Sequence, residues 1–111
     1  MVPLKAQMSP DEVLVLVARY FELSLDDLIS PSRKREIAQA RQVTMYLLRS
    51  ELQLSFANIG ALFGGRDHAT VMHSVEKIER LVQSDDAVQS AVESLRSRIV
   101  SPQPVLERVR T

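Results

Sequence analysis

The chain has 111 residues, 45% of them hydrophobic and 25% charged, with three glycines and no cysteine. That length suits one ordinary domain, enough to take roughly two thirds of the unfolded surface out of water, and the composition excludes wholesale disorder. The absence of cysteine excludes disulfides and thiolate metal sites and fits a reducing compartment, the cytoplasm by default. The formal net charge is zero, so no overall basic excess argues for nucleic acid.

Charge distribution says more. Residues 1–30 carry Lys5 and Arg19 against Asp11, Glu12, Glu22, Asp26 and Asp27, whereas the middle carries Arg33, Lys34, Arg35, Arg41, Arg49 and Arg66 against Glu36, Glu51 and Asp67. A locally basic middle is the minimum that phosphate neutralisation requires. The longest early apolar run, residues 13–18, is far below the roughly 20 residues that span a bilayer, and neither a signal peptide nor a membrane span is expected.

Ser9-Pro10-Asp11-Glu12 reads as a helix start, with a hydroxyl cap, proline in the first turn and glutamate three residues after the cap. The helix is predicted to run to about residue 23, with Val13, Leu16, Val17 and Tyr20 stacked on one face. A short turn or helix over residues 26–29 follows, ahead of Pro31. The basic link Ser32-Arg33-Lys34-Arg35 leads into a long helix over residues 36–52, whose core stripe is Ile37, Ala40, Thr44, Leu47 and Leu48. Arg35, Gln42 and Arg49, seven residues apart, share a polar face with Gln39 and Tyr46.

Ser55 is the expected cap of a further helix carrying Phe56, Ile59, Leu62 and Phe63, closed at Gly64-Gly65 by a left-handed residue. The next helix starts near Asp67 with Val71, Val75, Ile78 and Val82 inward, which turns Ala69, Met72, His73 and Glu76 away from the core. Ser84-Asp85-Asp86 caps a last helix to residue 100, with Val88, Val92 or Ala91, Leu95 and Ile99 inward. Pro102 and Pro104 stop it. No alternating strand pattern occurs, so the expected fold is all-α. One domain is expected over residues 9–100, with a linker over 1–8 and a tail over 101–111 in which Val105, Leu106 and Val109 are candidates for weak docking.

Two short helices joined by a glycine turn, the second opening with polar residues and holding its apolar stripe on the far side, form a helix-turn-helix pattern. In that docking Asp67, His68, Ala69 and Thr70 come near base edges in the major groove. Residue by residue, simpler readings compete. Asp67 reads equally as an N-cap whose carboxylate is spent on backbone N–H groups. His68 and His73 lie about 140° apart around a helix, unlike the i, i+4 pair of a zinc site. Arg33 to Arg35 alone read as a solvated link, and Met45, Val71 and Met72 as packing residues. Catalysis finds no foothold, because neither a phosphate loop of the form GxxxxGK[ST] nor a set of Ser-His-Asp partners is present.

The run GGRDHATVMH, residues 64–73, resembles the GGRDHTTVLH signature of the DnaA family of bacterial replication initiators. The resemblance extends upstream through Arg33-Lys34-Arg35 and Ala40-Arg41-Gln42 and downstream through Lys77-Ile78-Glu79, covering about residues 8 to 100. It implies a Trp-repressor-like helix-turn-helix bundle that binds double-stranded DNA at TTATNCACA-like DnaA boxes, as the origin-recognition module of an initiator in the cytoplasm and on the nucleoid. Arg33 matches the family arginine of the minor groove. Asp67 and His68 match base-reading residues, and Ala69 stands where a threonine touches a thymine methyl. Arg41, Gln42, Thr70 and Lys77 match positions that hold the DNA backbone. The chemistry is compatible: a carboxylate accepts from the cytosine amino group, a methyl meets the thymine methyl, and arginine suits a narrow, electronegative minor groove.

Three departures from the family pattern stand out. Ala69 keeps a methyl and loses a hydroxyl, Glu76 puts a negative charge where basic residues are frequent, and Ala40 replaces a proline. The resemblance also implies regulatory proteins as partners, and acidic phospholipids near the N-terminal junction. It implies no cofactor on this chain, ATP belonging to a separate ATPase domain of the intact initiator. Two rival functions remain: a free-standing regulator at DnaA boxes, and a protein or acidic-lipid interaction module resting on the apolar helix of residues 13–21.

Overall fold

The computed structural model describes residues 8–100, and every regular element in that span is a helix: α1 (Pro10–Tyr20), α2 (Leu25–Ile29), α3 (Arg35–Leu52), α4 (Phe56–Leu62), α5 (His68–Ser84) and α6 (Asp86–Val100). The linker residues 1–7 and the tail from residue 101, with its candidate docking residues Val105, Leu106 and Val109, lie outside the described residues.

Local chemistry explains most of the boundaries. The Ser9 hydroxyl accepts from the Glu12 amide at 3.2 Å while the Glu12 carboxylate accepts from the Ser9 amide at 2.8 Å, a reciprocal box that satisfies two orphan donors at the start of α1. α1 stops three residues before the expected end. Glu22 turns left-handed (φ 58°), which lets the Leu23 amide reach back to the Ala18 carbonyl at 2.8 Å. α3 ends the same way at Gln53 (φ 59°), with the Leu54 amide on the Leu48 carbonyl. Neither end carries a glycine, so neither left-handed turn was visible in the residue types. Asp85 separates α5 from α6, its carboxylate accepting from the amides of Ala87 and Val88.

α3 runs through the middle and touches every other helix, most extensively α5. Its buried surface is therefore wider than one stripe: Ala40, Thr44, Leu47 and Leu48 are buried as expected, Val43 and Met45 join them, and Ile37 is only half-buried. The buried Thr44 hydroxyl donates to the Ala40 carbonyl at 2.8 Å, which removes the cost of an unpaired polar group. Val13 and Val17 of α1, Leu28 of α2, Ile59 of α4 and Phe63 just after it, Val71, Val75 and Ile78 of α5, and Val88, Val92, Leu95 and Ile99 of α6 join them in the core, with Ala91 buried alongside. In α1 the buried set is Val13, Leu14, Val17 and Ala18, while Tyr20 lies 37% exposed at the outer end and Leu16 is half-buried. Val82 is likewise only partly covered. The polar face expected of α3 is partly consumed within the fold. Arg49 donates to the Leu54 carbonyl and lies 4.4 Å over the Phe56 ring, and Tyr46 accepts from Arg96, which also pairs with Glu51 at 2.8 Å.

A candidate nucleic-acid interface at the start of α5

α4 begins at Ser55, whose hydroxyl accepts from the Asn58 amide at 3.0 Å. It ends because one carbonyl, that of Gly60, takes three amides: Phe63 at 3.1 Å, Gly65 at 3.0 Å and Arg66 at 3.1 Å. Gly64 and Gly65 make the reversal at φ +80° and +82°, a region that L side chains enter at a cost. The chain then enters α5 at Asp67, an extended cap residue whose Oδ1 accepts from the Thr70 amide at 2.8 Å.

That bond and the Thr70 hydroxyl, helped by the Ala69 amide and the nearby His68, hold the Asp67 carboxyl below its ordinary range against an opposing effect of desolvation. Asp67 is thus a carboxylate at neutral pH, exposed, with acceptor positions beyond the one used as a cap. His68, Ala69 and Thr70 follow, all exposed, on the first turn of a 17-residue helix whose buried side is Val71, Val75 and Ile78. His73, Glu76 and Lys77 continue the exposed side, with His73 Nδ1 3.8 Å from Glu76 Oε1. Met72 is half-buried at the edge.

On the neighbouring segment Arg33, Lys34 and Arg35 are all exposed, and Gln42 is half-buried on α3. Arg41 differs. It is 7% exposed, and its guanidinium donates to two carbonyls of the α2–α3 link, Ser30 at 2.7 Å and Ser32 at 3.0 Å. Its pKa is lowered, first by burial and then by the charge of Arg66. Arg66 donates to the same Ser30 carbonyl at 3.2 Å. The family resemblance implies a backbone contact for Arg41 as for Gln42, and the helix turns Arg41 inward. Arg66 sits inside the GGRDHATVMH run with no role in the sequence reading, because a partner 36 positions away leaves no trace in spacing. Among the described residues, no group of three or more His, Cys, Asp or Glu could hold a metal ion.

The helix-turn-helix model of the bacterial DnaA protein matches residues 10–78. The chain belongs to the DnaA helix-turn-helix family. The match takes in the cap of α5, the glycine turn, the arginine link and α3 together, and a helix-turn-helix is a binding element for DNA rather than a catalytic one. Chromosomal replication initiator proteins DnaA from Thermomicrobium roseum and from a Nostoc species are each 45% identical over 95 residues, 86% of this chain. The DnaA of Leifsonia xyli subsp. xyli is 44% identical over 92 residues. The chain spans about a fifth of the length of these DnaA relatives. A crystal structure of a DNA replication initiation factor superposes with a TM-score of 0.69 and 25% identity, over 81% of this chain and 29% of its own.

Proposed function

We propose that this DnaA-family chain recognises DnaA boxes, TTATNCACA-like duplex sites, and serves as the origin-recognition part of a replication initiator. The observation that supports the reading best is the start of α5: a carboxylate, an imidazole, a methyl and a hydroxyl from Asp67 to Thr70, all exposed, directly after a glycine turn. In this reading α5 enters the major groove, where Asp67, His68 and Ala69 meet base edges. Arg33 enters the minor groove at the A·T-rich end. Gln42, Thr70 and Lys77 hold phosphates. The site of action is the cytoplasm and the nucleoid, and ATP chemistry belongs to a separate domain of the intact initiator. Regulatory proteins dock on the faces that DNA leaves open.

The lipid or protein module reading finds less support in the fold. Val13, Leu14, Val17 and Ala18 of α1, much of the apolar surface that motivated it, are buried in a helix packed against α3, α2 and α6, leaving Val15, Leu16 and Phe21 half-buried and Tyr20 exposed. No helix among the described residues is long and apolar enough to cross a membrane.

Competition between a TTATNCACA duplex and a scrambled duplex tests the proposal. The specific site is expected to win by about tenfold or more, about 1.4 kcal/mol, with affinity falling as salt rises. Equal affinity across a salt titration sinks sequence-specific recognition.

A further inference from the structure

One carbonyl ties two distant parts of the interface together. The Ser30 oxygen accepts from Arg41 at 2.7 Å and from Arg66 at 3.2 Å, and Arg41 also reaches the Ser32 oxygen at 3.0 Å. Crowding two guanidinium groups is unfavourable, as the Arg41 pKa, lowered by burial and then by the charge of Arg66, reflects, and the Ser30 and Ser32 carbonyl oxygens that accept from them oppose that cost. Hydroxyls brace the same segment. Ser30 Oγ donates to the Asp27 carbonyl at 2.7 Å and accepts from the Ser32 amide at 3.2 Å, and Ser32 Oγ accepts from the Lys34 amide at 3.1 Å. Pro31 fixes one more dihedral. The root of the link is thus fastened at successive residues while the Arg33 side chain stays exposed. At the other end, Arg66 immediately precedes Asp67, the cap of α5.

We propose that Arg41 and Arg66 are positioning residues for DNA reading: by clamping the Ser30 carbonyl they hold the Arg33 arm in fixed relation to the α5 N-terminus, so that both read one duplex together. The inference rests on the DNA-reading function proposed above. It assigns Arg41 a role exerted through the arm, in place of the direct phosphate contact that the family resemblance implies. A phosphate contact needs a guanidinium facing solvent, whereas that of Arg41 is covered and committed to two carbonyls.

The test uses R41K, R66Q and R33A. Lysine keeps the charge but lacks the planar fork that serves two carbonyls at once. R66Q, at a half-buried position, removes the second guanidinium with its charge and shortens the side chain that reaches Ser30, without opening the core. The quantity read is the affinity ratio between a site with its A·T-rich end intact and the same site with G·C pairs there. R33A should bring that ratio close to one. R41K and R66Q should each lower it by about threefold or more, and R41K should add nothing in the R33A background, as expected of residues acting through one contact. In the free protein, backbone amide order parameters from Ser32 to Lys34 should fall in both variants. An unchanged ratio with equal weakening on all duplexes would return Arg41 to the phosphate role and overturn the proposal, as would unchanged order parameters. A wild-type protein that treats specific and scrambled duplexes alike defeats the DNA-reading function instead. The order parameters then decide the clamp alone.

Discussion

The Arg66 carbonyl oxygen occupies the place that a Cβ on residue 60 would take, so α4 and the turn after it meet with no room for a side chain at Gly60. The obstructing atom is backbone and cannot swing aside. Gly60→Ala must push the turn away from α4, and it also strains the carbonyl that accepts from Phe63, Gly65 and Arg66. We expect a loss of about 2 kcal/mol, within the range for overpacked sites, read as a lower denaturation midpoint with unchanged slope. A midpoint equal to wild type would mean that the approach relaxes freely and that glycine is not required there.

Gly64 and Gly65 present the opposite problem. An added Cβ would meet nothing within 4 Å at either position, but φ is +80° and +82°. Alanine there should cost about 1 kcal/mol each through backbone conformation alone. Asparagine, which tolerates left-handed backbone better, should cost less than alanine at both positions. A bulky residue no worse than alanine at Gly64 would agree with the open space, whereas equal stability of Gly65→Ala and wild type would contradict the strain.

Asp67 adds a pH dependence. Its carboxyl is held below the ordinary range chiefly by the Thr70 amide, so the folded state prefers the ionised form more than the unfolded chain does. The contribution is complete above the unfolded value of about 4. It disappears as pH falls through the lower folded value. Asp67→Asn keeps a capping oxygen without a titrating group, so the acid limb of its stability profile should be flatter than that of wild type. Parallel acid limbs for the two proteins would exclude the cap as the cause.

The caps were legible because Ser9, Ser55 and Asp67 act on amides within three residues, and such local bonds leave a mark in spacing. The apolar stripe of α5 was legible for the same reason, one face of that helix being covered and the other open. α3 was read less well. A helix surrounded on most sides buries more than one stripe, which is why Val43 and Met45 join the core. Arg41, three residues before Thr44 and seven before Leu48, lies beside the predicted stripe, but its charge and the family match drew it to the DNA side. The end of α3 at Leu52 was legible, whereas α1 stops at Tyr20, three residues short of the expected end, because Glu22 turns left-handed with no glycine to mark the place. The Arg66 contact with Ser30 was out of reach of any local rule. In the binding region, the exposed residues Arg33, Asp67, His68, Ala69, Thr70 and Lys77 and the half-buried Gln42 came from motif and family resemblance.

The division between reading and holding can be separated experimentally on α5 itself. His68 and Ala69 lie on its first turn, exposed, whereas Lys77 lies more than two turns further along the same helix. A side chain that meets a base edge contributes to preference, and one that meets a phosphate contributes to every duplex alike. His68→Ala should therefore narrow the gap between specific and scrambled DNA, by about 1 to 3 kcal/mol if the contact is a good one. Lys77→Ala should keep the gap, weaken both duplexes and lower the salt slope by about one. Ala69→Thr restores the usual family residue, keeps the methyl and adds a hydroxyl, so preference for thymine at its contact should hold or increase. Glu76→Gln removes a negative charge from the same exposed side and should strengthen all duplexes together, since no base preference depends on it. If His68→Ala and Ala69→Thr shift both duplexes equally, with folding confirmed by circular dichroism, the reading surface lies elsewhere than the first turn of α5. An unchanged salt slope in Lys77→Ala would remove that lysine from the phosphate contacts while leaving the base readers untouched.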